Sequence, residues 1–170
     1  MVGGLRVCAA LFGPVTILYA AVQLALLPEM LRVRDTAELL RLVKRATLLL
    51  SAATTVWAVV AVVLPYEVGV ALFGASWSSA QPLLVPYGVY MVATALVVSP
   101  ITALRSLSRA RLGLQIALTQ LPVVLFAPPF GVLLLGPEGA GWGLVLAGGL
   151  STSLWWYHLY AITRTETGKT

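Results

Sequence analysis

Long apolar runs separated by short polar segments fill nearly the whole chain. None of the runs has a Lys, Arg, Asp or Glu in its interior, and each reaches the length of about 20 residues that a helix needs to cross a bilayer. Because a helix satisfies its own backbone hydrogen bonds in lipid, the pattern predicts an all-α integral membrane protein with five transmembrane helices in a single membrane domain, 1–170. The predicted spans are 7–27, 46–64, 80–104, 112–135 and 141–162.

The basic residues lie in alternate connections between these runs, except for Arg6, whose single charge on the opposite side is outweighed by the others. The first and third connections and the C-terminal segment are basic, whereas the second and fourth connections contain no Lys or Arg. Lys and Arg are retained on the cytoplasmic side of a membrane. The pattern therefore predicts an external N-terminus and a cytoplasmic C-terminus. The basic residues concerned are Arg32, Arg34, Arg41, Lys44, Arg45, Arg105, Arg109, Arg111, Arg164 and Lys169.

A short amphipathic helix is predicted in the first basic connection, at 35–45. Asp35 and Glu38 have the spacing of a capping box, in which Asp35 is the N-cap. Leu39, Leu42 and Val43 then share one face at the helical period. We expect this segment to lie at the cytoplasmic membrane surface and to lead into the second span; the alternative is a plain solvated connector.

Composition excludes a soluble or a disordered chain. Of the 170 residues, 59% are hydrophobic and 10% are charged, whereas a soluble domain carries about 25% charged residues. Disordered chains are poor in apolar groups and rich in charge. The net charge of +5 is explained by topology and by contact with anionic membrane lipids. Nucleic acid is not an expected partner, because no basic stripe with interleaved aromatic residues occurs.

The residue types that carry enzyme chemistry are scarce. The chain has one histidine, His158, and one cysteine, Cys8, so no metal-ligand set is expected. Glu29 and Glu67 fall on opposite sides of the membrane in the predicted topology and cannot act as an acid–base pair. We therefore predict that the protein is not an enzyme and needs no cofactor.

Polar residues within the spans are the candidates for lining a transport cleft. Thr16 and Gln23 share one face of the first span, and Gln115 and Thr119 share one face of the fourth. Such faces could hydrogen-bond the hydroxyl groups of a sugar. The alternative is that these side chains only join neighbouring helices, at about 0.6 kcal/mol per contact.

A stripe of small residues recurs every four positions in the fifth span. It consists of Gly139, Gly143, Ala147 and Ser151. Small residues at this spacing let another helix backbone approach closely. The stripe therefore predicts a helix-packing face.

Aromatic residues cluster at the ends of the predicted spans. Trp155 and Trp156 lie at one end of the last span, and Trp77 lies at the opposite membrane face. Amphipathic rings are typical of the headgroup level, so we interpret these residues as interfacial anchors. Sugar stacking is the alternative for Trp155 and Trp156.

Several short motifs follow one another along almost the whole chain. A leucine-proline pair ends the first span, a basic loop follows, and glycines open the last span. The motifs are Leu11-Phe12-Gly13-Pro14, Leu26-Leu27-Pro28-Glu29, Leu72-Phe73-Gly74-Ala75-Ser76-Trp77, the 103–111 turn and Gly139-Ala140-Gly141-Trp142-Gly143. Each motif is loose, but their order and spacing resemble the later half of bacterial polysaccharide flippases, in the multidrug/oligosaccharidyl-lipid/polysaccharide exporter superfamily.

The resemblance implies that the chain forms most of one lobe of a two-lobe flippase in the bacterial cytoplasmic (inner) membrane. Such a protein moves a lipid-linked oligosaccharide during lipopolysaccharide or exopolysaccharide export, and both lobes are needed to form its cleft. An external N-terminus without a leader is expected of a segment of a longer chain, so we expect a partner chain to supply the missing lobe. The alternatives are a small non-transporting membrane scaffold and half of a multidrug exporter.

Overall fold

The computed structural model describes residues 2–33, 35–107, 110–136 and 139–167, and these residues form seven α-helices and no strand. The all-α prediction is confirmed for them. The helices are α1 (Val2–Leu11), α2 (Gly13–Arg32), α3 (Thr36–Val63), α4 (Tyr66–Phe73), α5 (Ser76–Ser106), α6 (Ala110–Leu135) and α7 (Gly139–Thr167). Four of them are long and apolar enough to cross a membrane: α2, α3, α5 and residues 111–135 of α6.

The fifth predicted span, 141–162, falls within α7. This helix has 29 residues and is long enough, yet it is not among the four described helices that combine membrane-spanning length with high hydropathy. Its glycines, hydroxyl residues and aromatic residues, together with His158, are less hydrophobic than the aliphatic residues of the other spans. The count of five spans thus rests on the sequence pattern, whereas the structure supports four.

The first predicted span, 7–27, is not one continuous helix, because α1 ends at Leu11 and α2 begins at Gly13, with Phe12 between them. Pro14 has no amide hydrogen to donate to the carbonyl four residues earlier, which weakens the helix at this point. The amide of Val15 bonds the carbonyl of Phe12 at 3.0 Å instead of that of Leu11. The freed Leu11 carbonyl accepts a hydrogen bond from Trp57 Nε1 at 3.1 Å.

The amphipathic segment predicted at 35–45 is the beginning of α3, which continues without a break through the second predicted span, 46–64, to Val63. Asp35 does act as its N-cap, accepting from the Ala37 amide at 3.1 Å. A separate helix on the membrane surface is not formed. Leu39 and Val43 are instead buried in a cluster with Leu104 of α5, which gives the apolar face a protein partner.

Helix α5 is the centre of the bundle and packs against α1, α2, α3, α4 and α7. The predicted span 80–104 lies within it. Helix α3 is antiparallel to α5, since Leu39 clusters with Leu104 near one end and the Gly88 Cα lies next to the Ala58 side chain near the other. The prolines within α5 do not interrupt it; they are Pro82, Pro86 and Pro100.

Helices α6 and α7 form a tightly packed antiparallel pair. Gly131 of α6 faces Gly139 of α7. Near the other end of α6, a Cβ at Gly113 would lie 3.7 Å from the Trp155 ring of α7. The predicted span 112–135 lies in α6. This helix packs mainly on α7 and only lightly on α5, so a wedge remains between α5 and α6.

Candidate functional site

A cavity of about 600 Å³ fills the wedge between α5, α6 and α7. Its walls come from residues within 90–105 of α5, 113–124 of α6 and 144–155 of α7. Fifteen residues of helix rise by about 22 Å, so this cleft extends along much of the thickness of a bilayer. It is mostly apolar and contains a few polar groups.

The small-residue stripe of α7 lies against α6 and forms the back of the cleft. A side chain at Gly139 would collide with the Gly131 carbonyl, and one at Gly143 would collide with the Ala127 carbonyl. Ala147 is buried and lines the cleft, and Ser151 follows on the same face. The stripe thus lets α6 and α7 pack backbone to backbone before the wedge opens.

Two hydrogen bonds set the register of α7 on α5. The Thr152 hydroxyl donates to the Ala93 carbonyl at 3.1 Å, and Trp156 Nε1 donates to the Leu96 carbonyl at 3.0 Å. Gly148 is needed at this level, because its Cβ would lie 3.0 Å from that of Ala93. These contacts make the α5–α7 wall of the cleft a fixed surface.

The polar centre of the cleft is Gln120 of α6. Its Oε1 accepts a hydrogen bond from the Ser151 hydroxyl at 3.1 Å, while its Nε2 is buried without a partner. Turning the carboxamide over would only exchange the paired atom for the unpaired one. An unpaired buried polar atom costs about 1–3 kcal/mol, so the site favours a ligand that can hydrogen-bond Gln120.

Further polar groups lie along the α5 wall. Thr94 donates to the Tyr90 carbonyl at 3.0 Å, which leaves its oxygen free to accept. Arg105 lies at the far end of the cleft and is exposed. Across the described side chains, the single ion pair is the exposed contact between Arg32 and Glu29 at 4.0 Å, so the Arg105 charge has no carboxylate partner there.

None of the four polar residues predicted to line a cleft lines this one. Thr16 is exposed and donates to the Gly13 carbonyl at 2.7 Å, and Gln23 is half-buried on α2. Gln115 and Thr119 are exposed on α6. The prediction that these residues bind a substrate has no test in the structure, which brings none of them into the cavity.

Three polar residues that do line the cleft, Gln120, Thr94 and Arg105, are not among the predicted cleft-lining residues. Gln120 follows Thr119 directly, so it lies on a different face of α6 from the predicted pair. The antiparallel register of α6 and α7 brings it to Ser151, 31 positions away. The helical period predicts which residues share a face of one helix, but it does not predict how that helix is aligned with its neighbour.

The interfacial interpretation also changes for two tryptophans. Trp155 is buried and lines the Arg105 end of the cleft. Trp77 is fully buried, where its ring stacks on Phe73 with centroids 5.9 Å apart and lies against Gly69. These rings are parts of the protein core rather than headgroup anchors.

A second groove, of about 380 Å³, lies between α3 and α5. Apart from Thr55 it is lined by Val, Ala and Gly, and the Thr55 hydroxyl already donates to the Ser51 carbonyl. This surface offers dispersion contacts and little else. No group of three or more metal-ligating side chains occurs in the part of the chain that the structure describes.

Comparison with known proteins adds no family to this picture. No protein-family model, curated protein or solved structure matches the chain.

Proposed function

We propose that the chain is a five-span protein of a bacterial cytoplasmic membrane, with an external N-terminus and a cytoplasmic C-terminus, that forms one lobe of a lipid-linked oligosaccharide flippase. A second lobe, on another segment or chain, supplies the opposite side of the transport path. The observation that carries this proposal is the cleft between α5, α6 and α7, where Gln120 offers an unpaired polar atom inside an apolar bundle.

The light packing of α6 on α5 supports a cleft with one movable wall. Helix α6 packs only lightly on α5, whereas the Thr152 and Trp156 hydrogen bonds hold α7 on α5, so α6 is the wall of the cleft that can shift relative to α5. Proline removes a backbone hydrogen bond from a helix and eases bending. Helix α6 contains Pro122, Pro128 and Pro129, and α5 contains Pro82, Pro86 and Pro100. Rocking of one helix bundle against another is the basis of alternating access.

The chemistry of the cleft supports a glycan as the polar part of the substrate. Gln120, Ser151 and Thr94 provide carboxamide and hydroxyl groups at one depth, and a sugar offers hydroxyl groups that both donate and accept. The described cleft residues include no carboxylate, which a cationic drug would favour. A glycan therefore suits this wall better than a lipophilic cation does.

Transport is tested in inside-out membrane vesicles from the cells that naturally make the chain, with its gene intact or deleted, so that the second lobe and a lipid-linked oligosaccharide are both present. A fluorescent polyprenyl-diphosphate oligosaccharide is added, and its protection from an impermeant quencher is measured over time. We expect the oligosaccharide to become protected only when the chain is present. Gln120→Leu should slow the rate of protection about tenfold, the factor that corresponds to 1.4 kcal/mol. Gln115→Leu, an exposed position on the same helix, is the matched control and leaves the rate unchanged.

Equal protection with and without the chain contradicts transport and favours a scaffold. Protection of a lipophilic cationic dye, with none of the oligosaccharide, favours half of a multidrug exporter.

A further inference from the structure

We propose that the Arg105 end of the cleft binds an anionic phospholipid of the surrounding bilayer, with the phosphate on Arg105 and one hydrocarbon chain along the apolar walls of α5 and α6. The proposal rests on the proposed function only in placing the cleft within a bilayer. It concerns binding and not translocation.

The first support is a cation at the end of a cavity that has no carboxylate partner among the described side chains. Arg105 lines the cleft from the last turn of α5, and the single ion pair of the described side chains lies elsewhere, at Arg32 and Glu29. Side chains tilt towards the N-terminus of their helix, so the Arg105 side chain starts back along the cleft. A guanidinium can bind a phosphate through two parallel hydrogen bonds.

The second support is the apolar surface that continues from Arg105. Val97 and Ile101 of α5 face Leu114 and Ala117 of α6 across the wedge. The wedge is open at the side because α6 lies mostly uncovered, and Leu114 is 61% exposed. A hydrocarbon chain can enter from the bilayer without crossing water.

The third support is the shape of the cleft at this end. Gly113 has no side chain, and the Trp155 ring lies 3.7 Å from the position that its Cβ would take. Trp155 is buried between α6 and α7 and lines the cleft. Gly113 and the Trp155 ring are thus packed against each other and form a rigid wall at this end of the cleft.

Specificity must come from the charge. Lipid tails are as apolar as leucine, so any bilayer lipid can fill the walls equally well. Arg105 distinguishes an anionic headgroup from a zwitterionic one, because a zwitterionic headgroup carries its own cation. Gln120 lies deeper, at the level of Ala93, since Ser151 bonds Gln120 and the next residue, Thr152, bonds Ala93. We expect phospholipid selectivity to be independent of Gln120.

The test uses the full chain in phosphatidylcholine nanodiscs that contain a minor fraction of phosphatidylglycerol. The acyl chains of one lipid or the other are dibrominated, and bromine quenches tryptophan fluorescence on contact. Subtracting the signal of Trp155→Phe isolates the contribution of Trp155. We expect brominated phosphatidylglycerol to quench Trp155 more than brominated phosphatidylcholine does at the same mole fraction.

Arg105→Gln should reduce this preference about fivefold, which corresponds to about 1 kcal/mol per arginine near an anionic surface. Arg111→Gln is the matched control, since Arg111 is exposed and does not line the cleft. Circular dichroism and gel filtration check that both variants fold. Inorganic phosphate is expected to leave the preference unchanged, and loss of the preference on adding it identifies a free-phosphate site instead.

Equal quenching by the two lipids overturns the proposal, as does an equal effect of Arg105→Gln and Arg111→Gln. A chain that prefers phosphatidylglycerol and does not translocate oligosaccharide retains this proposal and loses the proposed function. A chain that translocates oligosaccharide and shows no preference for phosphatidylglycerol retains the proposed function and loses this proposal.

Discussion

At the scale of single residues, the hydroxyl of Tyr19 joins three helices. The side chain is buried on α2, donates to the Met91 carbonyl of α5 at 2.8 Å and lies 3.1 Å from Thr54 Oγ1 of α3. The Thr54 hydroxyl also bonds the Leu50 carbonyl at 2.8 Å. The Tyr19 hydroxyl thus fixes the positions of α2, α3 and α5 relative to one another along the bundle.

We expect Tyr19→Phe to lower the free energy of unfolding by about 1 kcal/mol, because the hydrogen bond to the Met91 carbonyl is lost in an apolar core. The measurement is unfolding by sodium dodecyl sulfate from mixed micelles, followed by circular dichroism. Tyr157→Phe is the control, since Tyr157 is 70% exposed. A Tyr19→Phe protein as stable as the control variant would show that the hydroxyl does not join the helices.

The sequence carried only part of the information about such residues. Periodicity correctly indicates that Gln115 and Thr119 share a face of α6, but that face is exposed. Tyr19 finds partners 35 and 72 positions away, and Gln120 finds Ser151 at 31. Which face meets which helix depends on interhelical register, and a single helix does not encode it.

At the scale of elements, the break between α1 and α2 is stabilised from another helix. Pro14 ends the hydrogen-bond series of α1, and Trp57 of α3 donates to the Leu11 carbonyl that the break frees. Phe12, at the break, is fully buried with its ring 5.4 Å from that of Tyr87. Pro14 could be recognised from the sequence as a possible kink, whereas the donor from Trp57 could not.

Trp57→Phe leaves the Leu11 carbonyl without its indole donor while keeping an aromatic ring. We expect a loss of about 1 kcal/mol in the free energy of unfolding. Trp142→Phe is the control, because Trp142 is similarly exposed at 45%, compared with 38% for Trp57. Equal stability of the two variants would mean that the break does not depend on Trp57.

The seam between α6 and α7 makes a second prediction at this scale. Gly143→Ile would drive a side chain into the Ala127 carbonyl, whereas Gly149→Ile, on the same helix, has no neighbour within 4 Å. Overpacking costs about 1–3 kcal/mol, so we expect Gly143→Ile alone to lower the melting temperature in detergent. A similar melting temperature for both variants would contradict the close packing of this seam.

At the scale of the whole molecule, the helices that run the length of the bundle alternate in direction around α5. Helix α3 is antiparallel to α5, α6 is antiparallel to α7, and α7 is parallel to α5. The alternation of basic connections anticipates this order, because charge retention acts on each loop separately. The central position of α5 and the wedge beside α6 arise from packing between distant segments, which the charge pattern does not specify.

The central claim is that these helices cross a bilayer with the Arg105 end in the cytoplasm. Single cysteines replace Ala37 and Ser78, which are exposed near opposite ends of the bundle, in a Cys8→Ser background. An impermeant maleimide is then applied to intact cells and to permeabilised cells. We predict that Ser78→Cys is labelled in intact cells and that Ala37→Cys is labelled only after permeabilisation. Labelling of both positions in intact cells, or of Ala37→Cys alone, would contradict the account.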